Sequence, residues 1–163
     1  MAARILVAGI GNIFLGDDGF GPEVIRHVGI DDPDVRVVDY GVRGMHLAYD
    51  LLDGCDILVL IDALPDRGAP GQVQIFEVDH EAPETTPALD AHGMDPAAVF
   101  ASLHALGGTP PRTVVIGCQV ETVADGIGFS DPVRRAVPAA TQAVAYTVTM
   151  LRGHHGALSG SAD

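Results

Sequence analysis

Short, unbroken apolar runs return along this chain, separated by stretches in which apolar residues recur three and four positions apart. The first pattern suits a strand buried on both faces, the second a helix with one inward stripe. On that basis Arg4–Ile10 (RILVAGI) is a buried strand and Gly21–Val28 (GPEVIRHV) the helix behind it. Val35–Gly41 (VRVVDYG) and Met45–Leu52 (MHLAYDLL) repeat the pair, and Asp56–Leu64 (DILVLIDAL) is a third buried strand. Gly71–Asp79 (GQVQIFEVD) differs, because polar and apolar residues alternate after a turn rich in proline, glycine and aspartate. Alternation suits a strand with one wet face, so this strand is expected at an edge of the sheet. Met94–Leu106 reads as a third helix, Arg112–Val120 as the last strand and Asp131–Leu151 as the last helix. Ser130 or Asp131 is the expected cap of that helix, with Pro132 just inside it.

Strands that alternate with helices predict an α/β fold, a three-layer α/β/α sandwich around a mostly parallel, five-stranded sheet. No repeat or linker divides the pattern. Residues 1–152 are therefore expected to form one domain, and residues 153–163 a disordered tail. Composition agrees with a globular chain: 163 residues, 47% hydrophobic and 19% charged, can bury a core. The formal charge of −13, with no basic cluster beyond Arg134–Arg135, argues against nucleic acid and against anionic membrane surfaces as partners. Ala136–Leu151 is too short and too polar to span a bilayer. The first residues lack the pattern of a secretory leader, so a cytoplasmic protein is expected. Cys55 and Cys118 have no metal-type spacing and read as free structural thiols.

In open α/β sheets, sites lie beyond the carboxyl ends of the strands. The first strand ends in a glycine-rich turn that carries Asn12, Asp17 and Asp18. The second ends near Asp39, the third in Asp62, and the last in Gln119 followed by Glu121. Asp62 closes an apolar run, where an ionised carboxylate needs hydrogen bonds, a cation or a proton. Taken singly these residues have plain readings: neighbouring N–H groups could satisfy Asp62, Asp18 could cap a helix, and His92 could be a surface residue of a loop. Taken together, Asp18, Asp62 and His92 offer the oxygen and nitrogen ligands of a borderline divalent metal, from three loops on one rim. Asp17 is expected to be solvated or to cap a helix. Other templates fit poorly. Phe14 stands where a dinucleotide-binding turn needs its third glycine, and no nucleophile elbow surrounds any serine.

Five segments, GIGNIFLGDDGFGPEVI, DYGVRGM, LVLIDAL, LDAHGM and VIGCQVETVADGIGFSDPV, occur in order between Ile5 and about Leu151. With this spacing the chain resembles the nickel–iron hydrogenase maturation endopeptidases. The resemblance implies a twisted α/β/α sandwich with one antiparallel strand, for which Gly71–Asp79 is the natural candidate. It also implies an endopeptidase that removes the C-terminal extension from the nickel-loaded precursor of a hydrogenase large subunit. Asp18, Asp62 and His92 fall on the family's metal-contacting positions, and Asp39 on its aspartate-and-glycine motif as a further catalytic residue. The nickel is expected to arrive with the substrate, although another divalent metal could occupy the site in vitro, and the protein is expected to act as a monomer. Val42 and Val120 depart from threonine and proline common in relatives. A metal-sensing assembly chaperone that does not cut, a nucleotide-binding module and a protease with another target are the alternative readings.

Overall fold

A computed structural model describes residues 3–81 and 95–161 of the chain, with the backbone alone over 154–161. Five strands run β1 (Ile5–Ile10), β2 (Val35–Gly41), β3 (Ile57–Leu64), β4 (Val73–Glu77) and β5 (Arg112–Gln119). They form one sheet in the order β2-β1-β3-β5-β4. β1 pairs parallel with β2 and β3, and β3 pairs parallel with β5. β4 alone is antiparallel, and it lies at the edge as its alternating sequence predicts. β1 and β3 are buried at every position, the consequence of being central strands covered on both faces.

The helices are α1 (Phe20–His27), α2 (Gly44–Asp53), α3 (Pro96–Ala105) and α4 (Asp131–Ser161). Strand alternation divides the core into two layers. Ile5, Val7, Ile57, Val59 and Ile61 pack with Phe20 and Val24 of α1 and with Val133, Val137 and Val144 of α4. Leu6, Ala8, Ile10, Leu58 and Leu60 pack on the other face with Leu47 and Leu51 of α2 and with Val99 and Leu103 of α3. This is the expected sandwich.

Several boundaries differ from expectation. α3 begins at Pro96 behind Asp95, whose carboxylate accepts the Ala97 N–H, so a proper cap sets the start two residues later than the apolar period suggests. α4 continues past Leu151 to Ser161, where a disordered tail was expected from Gly153. Glycine weakens a helix by only about 1 kcal/mol per residue, and no proline interrupts this segment. Pro138, nearer the middle, is tolerated within α4.

Candidate active site

The carboxyl end of β1 is built from small residues for a steric reason. Gly11 has φ +140°, and a side chain there would collide with the Asp18 carbonyl oxygen. A Cβ on Gly21 would likewise strike the carbonyl oxygens of Ile10 and Ile61, so its absence lets α1 start directly against the ends of β1 and β3. Between them the chain makes one 3₁₀ turn, Gly16–Gly19. Asp18 sits in that turn, 1% exposed, and its Oδ2 accepts the Asn12 N–H at 2.8 Å. It does not cap α1, whose N-cap is Gly19 without a side-chain hydrogen bond. The glycine-rich turn thus folds back on its own carboxylate. A phosphate would meet negative charge there.

Asp62 lies one residue beyond Ile61, which pairs with Gly9 of β1, and it faces Gly117 of β5. It is 2% exposed, and its Oδ1 accepts the Ala63 N–H at 2.8 Å. Alternation places it on the side of Leu58 and Leu60, under α2 and α3. Two buried carboxylates, Asp18 and Asp62, therefore come from neighbouring strand ends at the same rim.

Asp39 reaches the rim differently. It pairs with Gly9 from β2, but it is exposed, and alternation assigns it to the opposite face, that of Val35 and Val37. Its Oδ1 accepts the Gly41 N–H at 2.9 Å, which closes the turn after β2 where Gly41 has φ +56°. His92 lies outside the described residues. Among the described residues no three His, Cys, Asp or Glu side chains gather as a metal site, and the third expected ligand is the one outside them.

Asp17 is neither solvated nor a cap. It is fully buried, and its carboxylate accepts four hydrogen bonds: from the N–H groups of Glu121, Thr122 and Ser130 and from the Ser130 hydroxyl, all at 2.7–2.9 Å. Burial pushes its pKa up, but these donors outweigh burial and hold it below the usual carboxylate range. Ser130 does occupy the cap position of α4, since its carbonyl accepts the Arg134 N–H, but its hydroxyl is given to Asp17. The same junction continues through the backbone. Gly16 N–H donates to Gly126 O at 2.9 Å and Gly126 N–H to Phe14 O at 2.8 Å. The loop bearing Asp18 is thereby fastened to the β5–α4 loop.

Two further side chains shape the rim. Gln119 Oε1 accepts the N–H groups of Arg67 and Ala69, and its Nε2 donates to Gln72, which holds the β3–β4 connection. Val120 is 5% exposed, and its N–H donates to Leu64 O at 3.0 Å, a bond that proline could not make. Val42, the other departure, is exposed beside the β2 turn. Two buried acids thus stand at one rim, beside a loop that is hydrogen-bonded to the β5–α4 loop.

Comparisons with known proteins agree with this fold. The family model described as hydrogenase maturation protease matches residues 23–147. The hydrogenase expression/formation protein HupD of Rhizobium leguminosarum bv. viciae is 34% identical over 86% of this chain and 72% of its own length. The hydrogenase 2 maturation protease of Escherichia coli is 31% identical over 86% of this chain and 88% of its own. The solved structure of the hydrogenase maturating endopeptidase HybD from E. coli superposes with a TM-score of 0.75 at 29% identity, covering 90% of this chain and 92% of that one. Its fold is the five-stranded sandwich with one antiparallel pair found here. By fold, by sequence and by the family model, this chain belongs to the hydrogenase maturation proteases, hydrolases that cut a peptide bond.

Proposed function

We propose that this protein removes a C-terminal extension from the precursor of a nickel–iron hydrogenase large subunit, after nickel has been inserted. The observation that carries the reading is the pair Asp18 and Asp62, both buried at neighbouring strand ends of a family protease. Carboxylates taken out of water are costly unless a cation or hydrogen bonds meet them. A rim of two carboxylate oxygens, with the imidazole of His92 as third ligand, suits a borderline divalent ion such as nickel. Asp18, with its short side chain, sets how deeply that ion must enter. The metal is read here as part of the substrate, so that only a loaded precursor presents the complete site. Asp39 serves the same rim from its exposed position by holding the turn after β2. Cleavage adds one water across the scissile amide, the hydroxyl to the carbonyl carbon and the proton to the leaving nitrogen. No helix among the described residues is long and apolar enough to cross a membrane. The reading has the protein act as a monomer on a precursor in the cytoplasm.

The test is intact-mass spectrometry of a nickel-loaded candidate precursor before and after incubation with this protein. Loss of one C-terminal segment is expected. An unchanged mass over many turnover times would overturn the proposal.

A further inference from the structure

All nine basic residues of the chain other than histidine are arginines, set against 22 acids. Arg26, Arg36, Arg112, Arg134 and Arg152 each have a carboxylate within ion-pair distance. Arg43 has none among the described residues, although it stands in the turn between β2 and α2 at the carboxyl rim. Its guanidinium is nevertheless fixed. Nη2 donates to the Asp39 carbonyl at 2.6 Å and Nε to the Tyr40 carbonyl at 3.2 Å. Those two donors form one edge of the planar group, so the other edge, through Nη1, still has hydrogens to give.

Arg43 also lines a cavity of about 250 Å³, together with Tyr40, His46, Tyr49 and Asp50. Asp50 is already engaged, accepting the Tyr40 hydroxyl at 2.5 Å and lying 3.7 Å from Arg36. Of the two basic side chains in the lining, His46 and Arg43, the arginine carries the permanent charge and still has hydrogens to give. The turn is also tied to the candidate site, because the Gly11 N–H donates to the Gly41 carbonyl at 3.0 Å. Arg43 and the loop of Asp18 therefore hold a fixed relation.

From this arrangement we propose that Arg43 is a specificity-determining residue that binds a carboxylate of the peptide substrate through the guanidinium edge that the two carbonyls leave open. The proposal rests on the reading of the chain as a precursor-processing protease. A guanidinium already held by two carbonyls loses little further freedom when it takes a carboxylate in a paired, two-bond geometry. The acidity of the protein sharpens the choice. Screening confines charge effects to roughly 8 Å at physiological salt, so an acid is attracted at Arg43 and repelled over most of the remaining surface. A substrate that carries its acid elsewhere would be disfavoured.

The experiment uses the full chain, the variants Arg43→Gln and Arg43→Lys, and Arg135→Gln as a control for the change in net charge. The probes are a nickel-loaded candidate precursor and a labelled synthetic peptide of its C-terminal extension, with its carboxylates intact or all converted to carboxamides. Wild type and Arg135→Gln are expected to bind the carboxylate peptide roughly 10- to 100-fold more tightly than the carboxamide, the range for a charge-assisted hydrogen bond. Arg43→Gln should lose that preference while remaining cooperatively folded at the assay temperature, and Arg43→Lys should keep only part of it. On the precursor the loss should fall on KM. Equal binding of the two peptides by wild type, binding of neither, or a preference that survives in Arg43→Gln would overturn the proposal. Discrimination that depends on Arg43, with the precursor left uncut, would instead leave Arg43 assigned and refute the processing reading.

Discussion

Asp17 and Ser130 stand 113 positions apart and are joined twice, the Ser130 N–H to Oδ1 at 2.8 Å and the Ser130 hydroxyl to Oδ2 at 2.7 Å. With the N–H groups of Glu121 and Thr122 they make a closed knot between the first and last strand ends. Asp17→Ala would strand several buried donors. We expect a loss of about 3 kcal/mol in denaturant unfolding, and about 1 kcal/mol for Ser130→Ala. In a double-mutant cycle the two losses should couple by more than about 0.5 kcal/mol. Additive losses would mean that the pair is incidental.

The same carboxylate predicts a pH dependence. Its pKa is lowered in the folded chain, so the folded state favours the ionised form. Its contribution is complete above the unfolded value near ~4 and fades as pH falls through the lower folded value. Asp17→Asn should accordingly be less stable than wild type at neutral pH, with the gap narrowing under acid. A gap that widens below pH ~4 would contradict the assignment.

Asp62→Asn and Asp39→Ala should separate. Asparagine preserves the shape of Asp62 and can keep the bond from Ala63, so stability should move by less than about 1 kcal/mol. Processing should fall to background, because a neutral amide cannot replace a ligating carboxylate. Asp39 is exposed and holds a turn, so Asp39→Ala should lower processing partially, by about tenfold, through a looser Gly41 turn. If Asp39→Ala abolished cleavage while Asp62→Asn cut normally, the roles would be reversed.

The thiols should behave as packing residues. Burial raises the pKa of Cys55, and it pushes that of Cys118 up to about 12. Cys118 is fully buried as well. In native protein at pH 8, a thiol reagent should modify Cys55 slowly and leave Cys118 untouched until the chain unfolds. A raised thiol pKa also means stability that is complete below ~8.5 and lost as pH rises towards about 12. Rapid native labelling of Cys118 would show that the last strand opens.

What could be read from the sequence divides along physical lines. β1 and β3 announce themselves because central parallel strands are apolar throughout, and β4 because an edge strand alternates. Asp62 draws notice because a charge at the end of an apolar run demands an explanation, and Asp18 because it lies in the glycine-rich turn after the first strand. Asp17 is not legible, since its partners lie more than 100 residues away and a turn of GDDG looks solvent-facing. Ser130 misleads for the same reason: its type and place suggest a cap, while its hydroxyl serves a distant acid. Arg43 appears in the sequence as one more surface charge. Only the carbonyls of Asp39 and Tyr40 show that it is held.

The last prediction concerns whose metal the rim reads. A hydrolase that activates water with its own ion holds that ion through several ligands supported by a second shell. Here the two buried acids come from separate strand ends, and the third expected ligand, His92, lies outside the described residues. Ligands gathered from separate segments of the chain, one of them the short Asp18, suit a site completed by the substrate's metal better than one that retains its own. The purified protein should therefore contain far less than one equivalent of metal by elemental analysis. Treatment with a chelator, followed by its removal, should leave cleavage of nickel-loaded precursor intact, and the nickel-free precursor should remain uncut. His92→Ala should stop cleavage while stability changes by less than about 0.5 kcal/mol, the range for a side chain that serves a ligand rather than the core. A stoichiometric zinc that had to be restored for activity would instead make Asp18, Asp62 and His92 the resident metal site of a hydrolase.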